Sequence, residues 1–591
     1  MAVLAKRTIS MFTFFLVLNQ RLAASSEICQ SLCSCVIFSN RNNVSAEVIE
    51  INCQGNDLEL FPNLTEYKGT QIQRLNLGNN SFFKLTVSSV LFDGAIIQEL
   101  NLDNNRFLEI ENNAFSNIKE LKKLTLNNCG LESADLIFVR NIPNLLFLAL
   151  RSNKIKELKD SSVFEGSPLE ELDLSYNPNI NIHEEVLKVL ASTLIFLYMD
   201  YTNVDISNLQ FLGGLANLKL LSMEGARSSK YNSIQQKAFG NLSLSSLESL
   251  TLSKSGLKVV FPKAFDGLDR LKYLDLSGNE LNNQVFGVTG TKPSLQVLKL
   301  SYNPSIQSIL KIPNKNLTEL HMEGTGVNLI SYDAFSVIGD SLVILNLRSC
   351  QLPPEGMFLV DAFRPLRSLR KLDLSYNYLK EIFNETFDDM NKLEELDLSG
   401  NIMKFSKTDF SGLEESLKTL RLRNMTLQTL PVEALASLEN LQELDASFNN
   451  FTNISKDFFG SLSVRTLNLT SCNIFEIHKE AFIRFNKTNV ILDGNNITSV
   501  DFLSFLSHNT FGTLTMRNNN INCSRLNQVH VVVFDNLEGY CVTGNHSEPL
   551  SAYLTKKLNM KAINSCCKTE TSQLVIFTIL AIRTFIEQVF V

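Results

Sequence analysis

The sequence predicts an α/β repeat: a solenoid, bent into a horseshoe, of about 19 turns with a parallel concave sheet and disulfide-bonded caps. Three observations predict it. A short pattern recurs as Leu75-Asn-Leu77-Gly-Asn-Asn80, Leu100-Asn-Leu102-Asp-Asn-Asn105, Leu172-Asp-Leu174-Ser-Tyr-Asn177, Leu274-Asp-Leu276-Ser-Gly-Asn279, Leu372-Asp-Leu374-Ser-Tyr-Asn377 and Leu396-Asp-Leu398-Ser-Gly-Asn401. Its last position can be followed through Asn80, Asn105, Cys129, Asn153, Asn177, Thr202, Ala226, Ser255, Asn279, Asn303, Thr325, Cys350, Asn377, Asn401, Met425, Asn449, Cys472, Asn495 and Asn519. Ten of these 18 spacings are 24 residues, which fixes the register. The 11 cysteines fall into one group before the repeats, one after them and three inside.

In chain order, residues 1–24 read as a signal peptide. Lys6 and Arg7 precede an apolar run from Ile9 to Leu18, and small residues Ala23, Ala24 and Ser25 follow. Residues 25–71 read as an N-terminal cysteine-rich cap, with Cys29, Cys33, Cys35 and Cys53 spaced C-x3-C-x-C-x17-C.

Residues 72–522 carry L-x-x-L-x-L-x-x-N, the leucine-rich-repeat signature. Its x-L-x-L segment alternates as a short strand does, leucines inward and x positions outward. Asn at the last position can satisfy backbone groups where the chain bends, and Cys, Thr and Ser can partly replace it. Ala226 and Met425 cannot, so those two turns are expected to be less regular. The chain holds 40 Phe and no Trp. Phe115, Phe239, Phe265, Phe335, Phe363, Phe387, Phe410, Phe459 and Phe482 follow the ladder position in their repeats, which predicts a stacked spine. Cys129, Cys350 and Cys472 occupy ladder positions and read as buried free thiols.

Residues 523–567 read as a C-terminal cysteine-rich cap with Cys523, Cys541, Cys566 and Cys567. Each group of four cysteines permits three pairings. Residues 568–591 form a hydrophobic tail whose apolar run, Leu574 to Val591, includes Arg583 and Glu587. Three readings stay open: a glycolipid-anchor signal with its site near Asn564 and Ser565, a short membrane span, or the end of a secreted chain. The expectation is a protein on the extracellular face of the plasma membrane, or a secreted one, without a cytoplasmic signalling module. The sequons Asn43, Asn63, Asn79, Asn241, Asn316, Asn384, Asn424, Asn450, Asn453, Asn468, Asn486, Asn496, Asn522 and Asn545 fit a glycosylated ectodomain.

Composition excludes other classes. The chain is 44% hydrophobic and 19% charged, unlike a disordered protein. Its formal charge of -7 and lack of a basic stripe argue against nucleic acid as partner. His183-Glu184-Glu185 lacks the second His of a zinc-protease motif, and Gly324-Thr-Gly326 lacks the rest of a phosphate loop. No enzymatic activity, metal site or cofactor is expected.

With its capped repeats, the sequence resembles extracellular leucine-rich-repeat proteins with cysteine-rich caps, including Toll-type receptor ectodomains and adhesion proteins of the chaoptin and connectin kind, over roughly residues 29–567. The resemblance implies recognition outside the cell. The C-terminal cap departs from the usual pattern: only Cys523 follows Asn-x-x-Ile-Asn, and the usual Trp is missing. Removal of the tail at Ser565 would leave Cys523 and Cys541 as a pair.

Function is expected in the outward positions, because the leucines build only the scaffold. Repeats four to seven offer Phe147, Tyr176, Phe196, Tyr198, Tyr201 and Leu220, interleaved with Glu171, Asp200 and Glu224. Aromatic side chains rimmed by charge suit a protein interface. The competing reading is that they pack against one another. No sequon occurs between Asn79 and Asn241, whereas Asn424 and Asn468 fall on concave positions. The insertion Arg227-Ser-Ser-Lys-Tyr-Asn-Ser lengthens the seventh repeat to 29 residues and reads as a contact loop or a solvated bulge. The expected function is cell-surface adhesion or recognition, with a protein ligand or a second copy of the chain (a possible homodimer) on the concave face and membrane association through the tail. The alternatives are an innate-immune recognition or co-receptor component and a secreted matrix-binding protein.

Overall fold

The computed structural model describes residues 33–39, 47–62, 64, 67, 69–85, 96–107, 109–229, 231–289, 292–506, 510–523, 536–543 and 546–556. The expected signal peptide, Cys29, Asn43, Asn63, Asn545, Cys566, Cys567 and the hydrophobic tail lie outside the described residues. The protein is a parallel-sheet solenoid of about 19 turns, divided into two compact units, residues 1–299 and 300–591.

The first unit opens with an antiparallel pair, Ser34–Ser39 against Glu47–Asn52. Glu47–Asn52 then pairs in parallel with Gln71–Asn76. Parallel strands follow in chain order from Ile96–Asn101 to Val297–Lys299, mostly three residues long. The middle leucine of each faces the same residue of the next strand, as in Leu148, Leu172, Leu197 and Leu221. These four are wholly buried, and each contributes about 2 kcal/mol by leaving water. The flanking strand positions stay half-exposed, apart from buried Ala149.

The second unit repeats the scheme from Glu319–His321 to Phe511–Met516. It ends on Leu537–Thr543, which pairs antiparallel with His546–Pro549. Disulfides Cys33–Cys53 and Cys523–Cys541 lie near the two ends, and Cys35 is also disulfide-bonded.

Past each strand the chain bends inward at the ladder residue. The Asn279 amide donates to the carbonyls of Leu276 and Leu252 at 2.9 and 3.0 Å, and its oxygen accepts from the N–H groups of Ser255 and Leu257. One side chain thus joins two adjacent turns. Thr202 and Thr325 donate within their own turn, to Met199 and Met322, and Thr325 Oγ1 also lies 3.3 Å from Cys350 Sγ of the next turn. Cys129, Cys350 and Cys472 are buried free thiols whose Sγ donates to a carbonyl of the previous turn at 3.3 Å. Burial pushes the three thiols up, to about 12, 11 and 11 respectively.

The residue just before the ladder has positive φ in every turn, from Asn79 to Asn518. Ala226 and Met425 do not disturb this. Gly225 and Asn424 keep the bend, and strands Leu220–Ser222 and Thr419–Arg421 pair in register. The irregularity expected there is absent, because the left-handed bend and the sheet bonds are backbone features that do not need the ladder side chain.

The nine predicted spine phenylalanines are all buried. Ring contacts link Phe115 to Phe138, Phe239 to Phe265, Phe335 to Phe363 and Phe459 to Phe482 at 5.0, 6.0, 6.1 and 5.1 Å.

Candidate functional site

The outward positions of strands Phe147–Ala149, Glu171–Asp173, Phe196–Tyr198 and Leu220–Ser222 form two rows. Phe147, Glu171, Phe196 and Leu220 stand in one register. Ala149, Asp173, Tyr198 and Ser222 stand in the next. Apart from buried Ala149, all are half-exposed. The sheet holds the rows because each strand's middle leucine is anchored in the core, leaving its neighbours no choice but the outer face.

Carboxylates thread through these rings. Burial pushes the Glu171 carboxyl up, with Lys123 opposing and Asp173 adding to the rise. Burial also raises Asp200, against hydrogen bonds from the Ser222 hydroxyl at 2.6 Å and the Glu224 N–H at 2.8 Å. The Tyr198 phenol is pushed up to about 12 by burial and by the charges of Glu171, Asp173 and Asp200.

Tyr176, Tyr201 and Glu224 stand apart from those rows. The two tyrosines occupy the left-handed bend beyond the strands, with φ of 59° and 54° and ring centroids 4.8 Å apart. Tyr201 Oη donates to Glu224 Oε1 at 2.6 Å, and Lys254 Nζ lies 2.8 Å from the same oxygen and 3.3 Å from Tyr201 Oη. Burial opposes ionisation of Glu224, yet the bonds from Lys254 and Tyr201 outweigh it and hold the carboxyl down. The bond to Glu224 raises the Tyr201 phenol. Gly225 makes the clasp possible, since a Cβ there would sit 2.7 Å from the Tyr201 ring. The second unit builds the same device from Tyr302, Glu323, Gly324 and Arg348. The Tyr201 and Glu224 polar ends are therefore engaged within the chain, which leaves Phe147, Glu171, Phe196, Tyr198, Asp200 and Leu220 as the open part of the predicted patch.

The sequence reading missed the cations. Lys123 Nζ lies 4.4 Å from the Phe147 ring centroid, and the Arg151 guanidinium lies 4.3 Å from that of Tyr176. Aligning the repeats would have found Lys123, because it pairs with Phe147 in the next strand. The same alignment places Lys254 in the bend position that Tyr201 occupies two turns earlier, but not its contact with the Tyr201 hydroxyl.

The described residues of the polar insertion, 227–229 and 231–233, are held by local hydrogen bonds. The Ser228 hydroxyl donates to the Ser233 carbonyl at 2.9 Å, Asp205 accepts from the Ser229 N–H at 3.2 Å, and Tyr231 is 91% exposed. Of the eleven sequon asparagines among the described residues, ten are exposed. Asn468 is half-buried on strand Thr466–Asn468 and accepts from the Thr470 hydroxyl. Among the described residues, no helix is long and apolar enough to cross a membrane.

Comparison with known proteins agrees with this architecture. The family described as "Leucine rich repeat" matches residues 226–281, 360–414 and 415–474. The "BspA type Leucine rich repeat region (6 copies)" matches residues 85–211. CD180 antigen of Mus musculus is 27% identical over 438 residues, covering 67% of this chain and 64% of that protein. Chaoptin of Drosophila melanogaster is 34% identical over 172 residues, 28% of this chain and 13% of that protein. Toll-like receptor 9 of Mus musculus is 26% identical over 60% of this chain and 33% of that protein. The chain thus spans under two thirds of the length of each of these relatives. A solved TLR13–ssRNA13 complex aligns over 87% of this chain and 98% of its own, at 18% identity and a TM-score of 0.43. The regular turns, the ladder, the end disulfides, and the family and sequence relatives make the chain a leucine-rich-repeat protein that resembles Toll-type receptor ectodomains and chaoptin.

Proposed function

We propose that the chain is a cell-surface recognition and adhesion protein that binds a protein partner through the outer face of its sheet between Phe147 and Leu220. The observation that carries this reading is the alignment of Phe147, Phe196 and Leu220 in one half-exposed row, with Tyr198 in the next. Large side chains that stay open to solvent on a rigid sheet suit the anchoring role that a few residues play in protein interfaces. The absence of sequons between Asn79 and Asn241 leaves this stretch clear of N-linked sugar. Similarity to chaoptin and to receptor proteins supports a recognition role. Domain limits of 1–24 for a signal peptide and 568–591 for an anchoring tail belong to the same proposal and place the repeats outside the cell.

A mixing assay tests it. Non-adherent cells displaying the full chain are mixed with differently labelled cells that do or do not express it. Clumping of expressing cells with each other indicates a second copy as partner, and clumping with non-expressing cells indicates a different surface protein. In either case Phe196→Asp with Tyr198→Asp abolishes it at equal surface display. Clumping that survives this double variant places the binding surface elsewhere. Failure to clump despite full display favours a second reading, capture of a soluble ligand.

A further inference from the structure

The open patch is not evenly supplied with charge. At its edge the chain provides its own cations: Lys123 over the Phe147 ring, Arg151 over the Tyr176 ring, and Lys254 on Glu224 and Tyr201. Each ring or carboxylate at the margin has thus drawn a basic side chain of the same chain onto itself. The centre differs. No cation lies over Phe196 or Tyr198, and Glu171, Asp173 and Asp200 form no ion pair within 4.0 Å among the described residues. Asp173 Oδ1 accepts only from the Ser175 N–H at 2.8 Å, and Asp200 Oδ1 from Ser222 and Glu224. Among the described residues, the Oδ2 atoms of both aspartates accept no hydrogen bond, and the Tyr198 hydroxyl engages none.

Strands Glu171–Asp173 and Phe196–Tyr198 are neighbours, so Asp173 and Tyr198 face each other in register with Asp200 two residues beyond Tyr198. Adjacent strands lie about 4.8 Å apart. A Lys or Arg entering here meets an aromatic face and a free carboxylate oxygen together, two interactions that reinforce each other where water is partly excluded. Leu220, one strand further on, offers an apolar contact beside that position.

We propose that this face takes a cationic, partly apolar segment of a partner protein, with Lys or Arg side chains seated on Phe196 and Tyr198 against Asp173 and Asp200, and an apolar side chain on Leu220. The inference rests on the sheet face being the recognition surface. It deepens that reading by naming the chemistry of the partner: the margin of the patch already satisfies its rings and acids with basic side chains, and the centre presents the same groups unfilled. An anionic partner meets the same uncompensated carboxylates and is repelled.

The test uses cells displaying the full chain and three fluorescent nine-residue peptides. One alternates Lys with Leu around a central Phe, one carries Glu in place of Lys, and one carries Ser in place of Leu. Binding above that of non-expressing cells is measured at two salt concentrations. The Lys–Leu peptide is expected to saturate and to weaken in high salt. Asp173→Asn with Asp200→Asn, which keeps the Oδ1 acceptors, is expected to weaken it at least tenfold. Glu443→Gln, on an exposed strand position of the second unit, is expected to change it less than twofold. The Ser peptide is expected to bind more weakly and the Glu peptide not at all. Equal binding to wild type and the Asp double variant, or an equal loss in Glu443→Gln, overturns the inference. Peptide binding that ignores the Asp pair while Phe196→Asp with Tyr198→Asp still abolishes clumping removes the cationic partner and keeps the recognition face. Insensitivity in both assays removes the recognition face as well.

Discussion

At the scale of single residues, the same turn is closed by side chains of very different reach. An Asn amide has donors and an acceptor, so Asn401 bonds the carbonyls of Leu374 and Leu398 while accepting from Asn377 and Leu379. Thr and Cys cover part of that set, and Ala and Met none of it. Asp205 does comparable work at the insertion. Its carboxylate accepts from the Ser207 N–H at 2.9 Å, the Ser207 hydroxyl at 2.7 Å and the Ser229 N–H at 3.2 Å. Burial works against its ionisation, but the bonds from Ser229 and Ser207 outweigh it and hold the carboxyl at about 2. A carboxyl lowered in the fold stabilises it above the ordinary carboxylate range and loses that contribution as pH falls toward 2. Asp205→Ala is therefore expected to destabilise the first unit by about 1–3 kcal/mol at neutral pH. Thermal melts from pH 7 to pH 2 should show the wild-type advantage shrinking below about pH 4, in line with the ordinary carboxylate range. A constant gap across that range contradicts the assignment.

At the scale of the repeat, the left-handed residue sets the geometry. Tyr, Ser, Lys, Phe and Asn all adopt it, although an L side chain there costs about 1–2 kcal/mol. The turn tolerates this because its strand and ladder bonds form only when the chain bends that way. Where glycine holds the position, its missing side chain is often used by the preceding turn. A Cβ on Gly400 would meet the Tyr376 ring at 2.5 Å, and that ring is covered by Arg348 at 4.2 Å. Gly256, one residue past the ladder position Ser255 and left-handed with φ of 63°, has nothing within 4 Å of its absent Cβ. Gly400→Ala is expected to cost roughly 2–4 kcal/mol, strain and overlap together, and Gly256→Ala only about 1–2 kcal/mol of backbone strain. Chemical denaturation of both variants checks this. Adding Tyr376→Ala should rescue part of the Gly400→Ala loss and none of the Gly256→Ala loss.

At the scale of the whole molecule, the distribution of sequons separates the two units. The first unit has a sequon-free stretch over the candidate patch. The second carries Asn424 on an exposed bend and Asn468 on the sheet itself. On its sheet face Glu394 pairs with Arg370 and Lys418, Glu395 with Lys371 and Arg421, and Asp445 with Arg423, whereas Asp373, Asp397 and Glu443 form no ion pair within 4.0 Å among the described residues. Glycopeptide mass spectrometry of the secreted or displayed chain is expected to find N-linked sugar at exposed sites such as Asn241, Asn316 and Asn424. It should find none between residues 80 and 240, and lower occupancy at half-buried Asn468. Full occupancy at Asn468 with bare Asn424 is the contrary result.

The sequence by itself determined the repeat, its register, the phenylalanine spine and the division of cysteines between ends and core. All of these follow from one local rule: a side chain's burial is set by its place in a short period, and that period is written in the order of residues. Rows such as Phe147, Glu171, Phe196 and Leu220 were legible for the same reason. Only the tertiary structure selected Cys33–Cys53 from three possible pairings and placed Lys254 on Glu224 and Tyr201. It also gave a left-handed bend to residues with no preference for one. These depend on what the neighbouring turn leaves empty. The space above Gly225 decides where the Tyr201 ring lies, and that ring decides which cation arrives, so the outcome belongs to adjoining turns together and to none of their sequences alone.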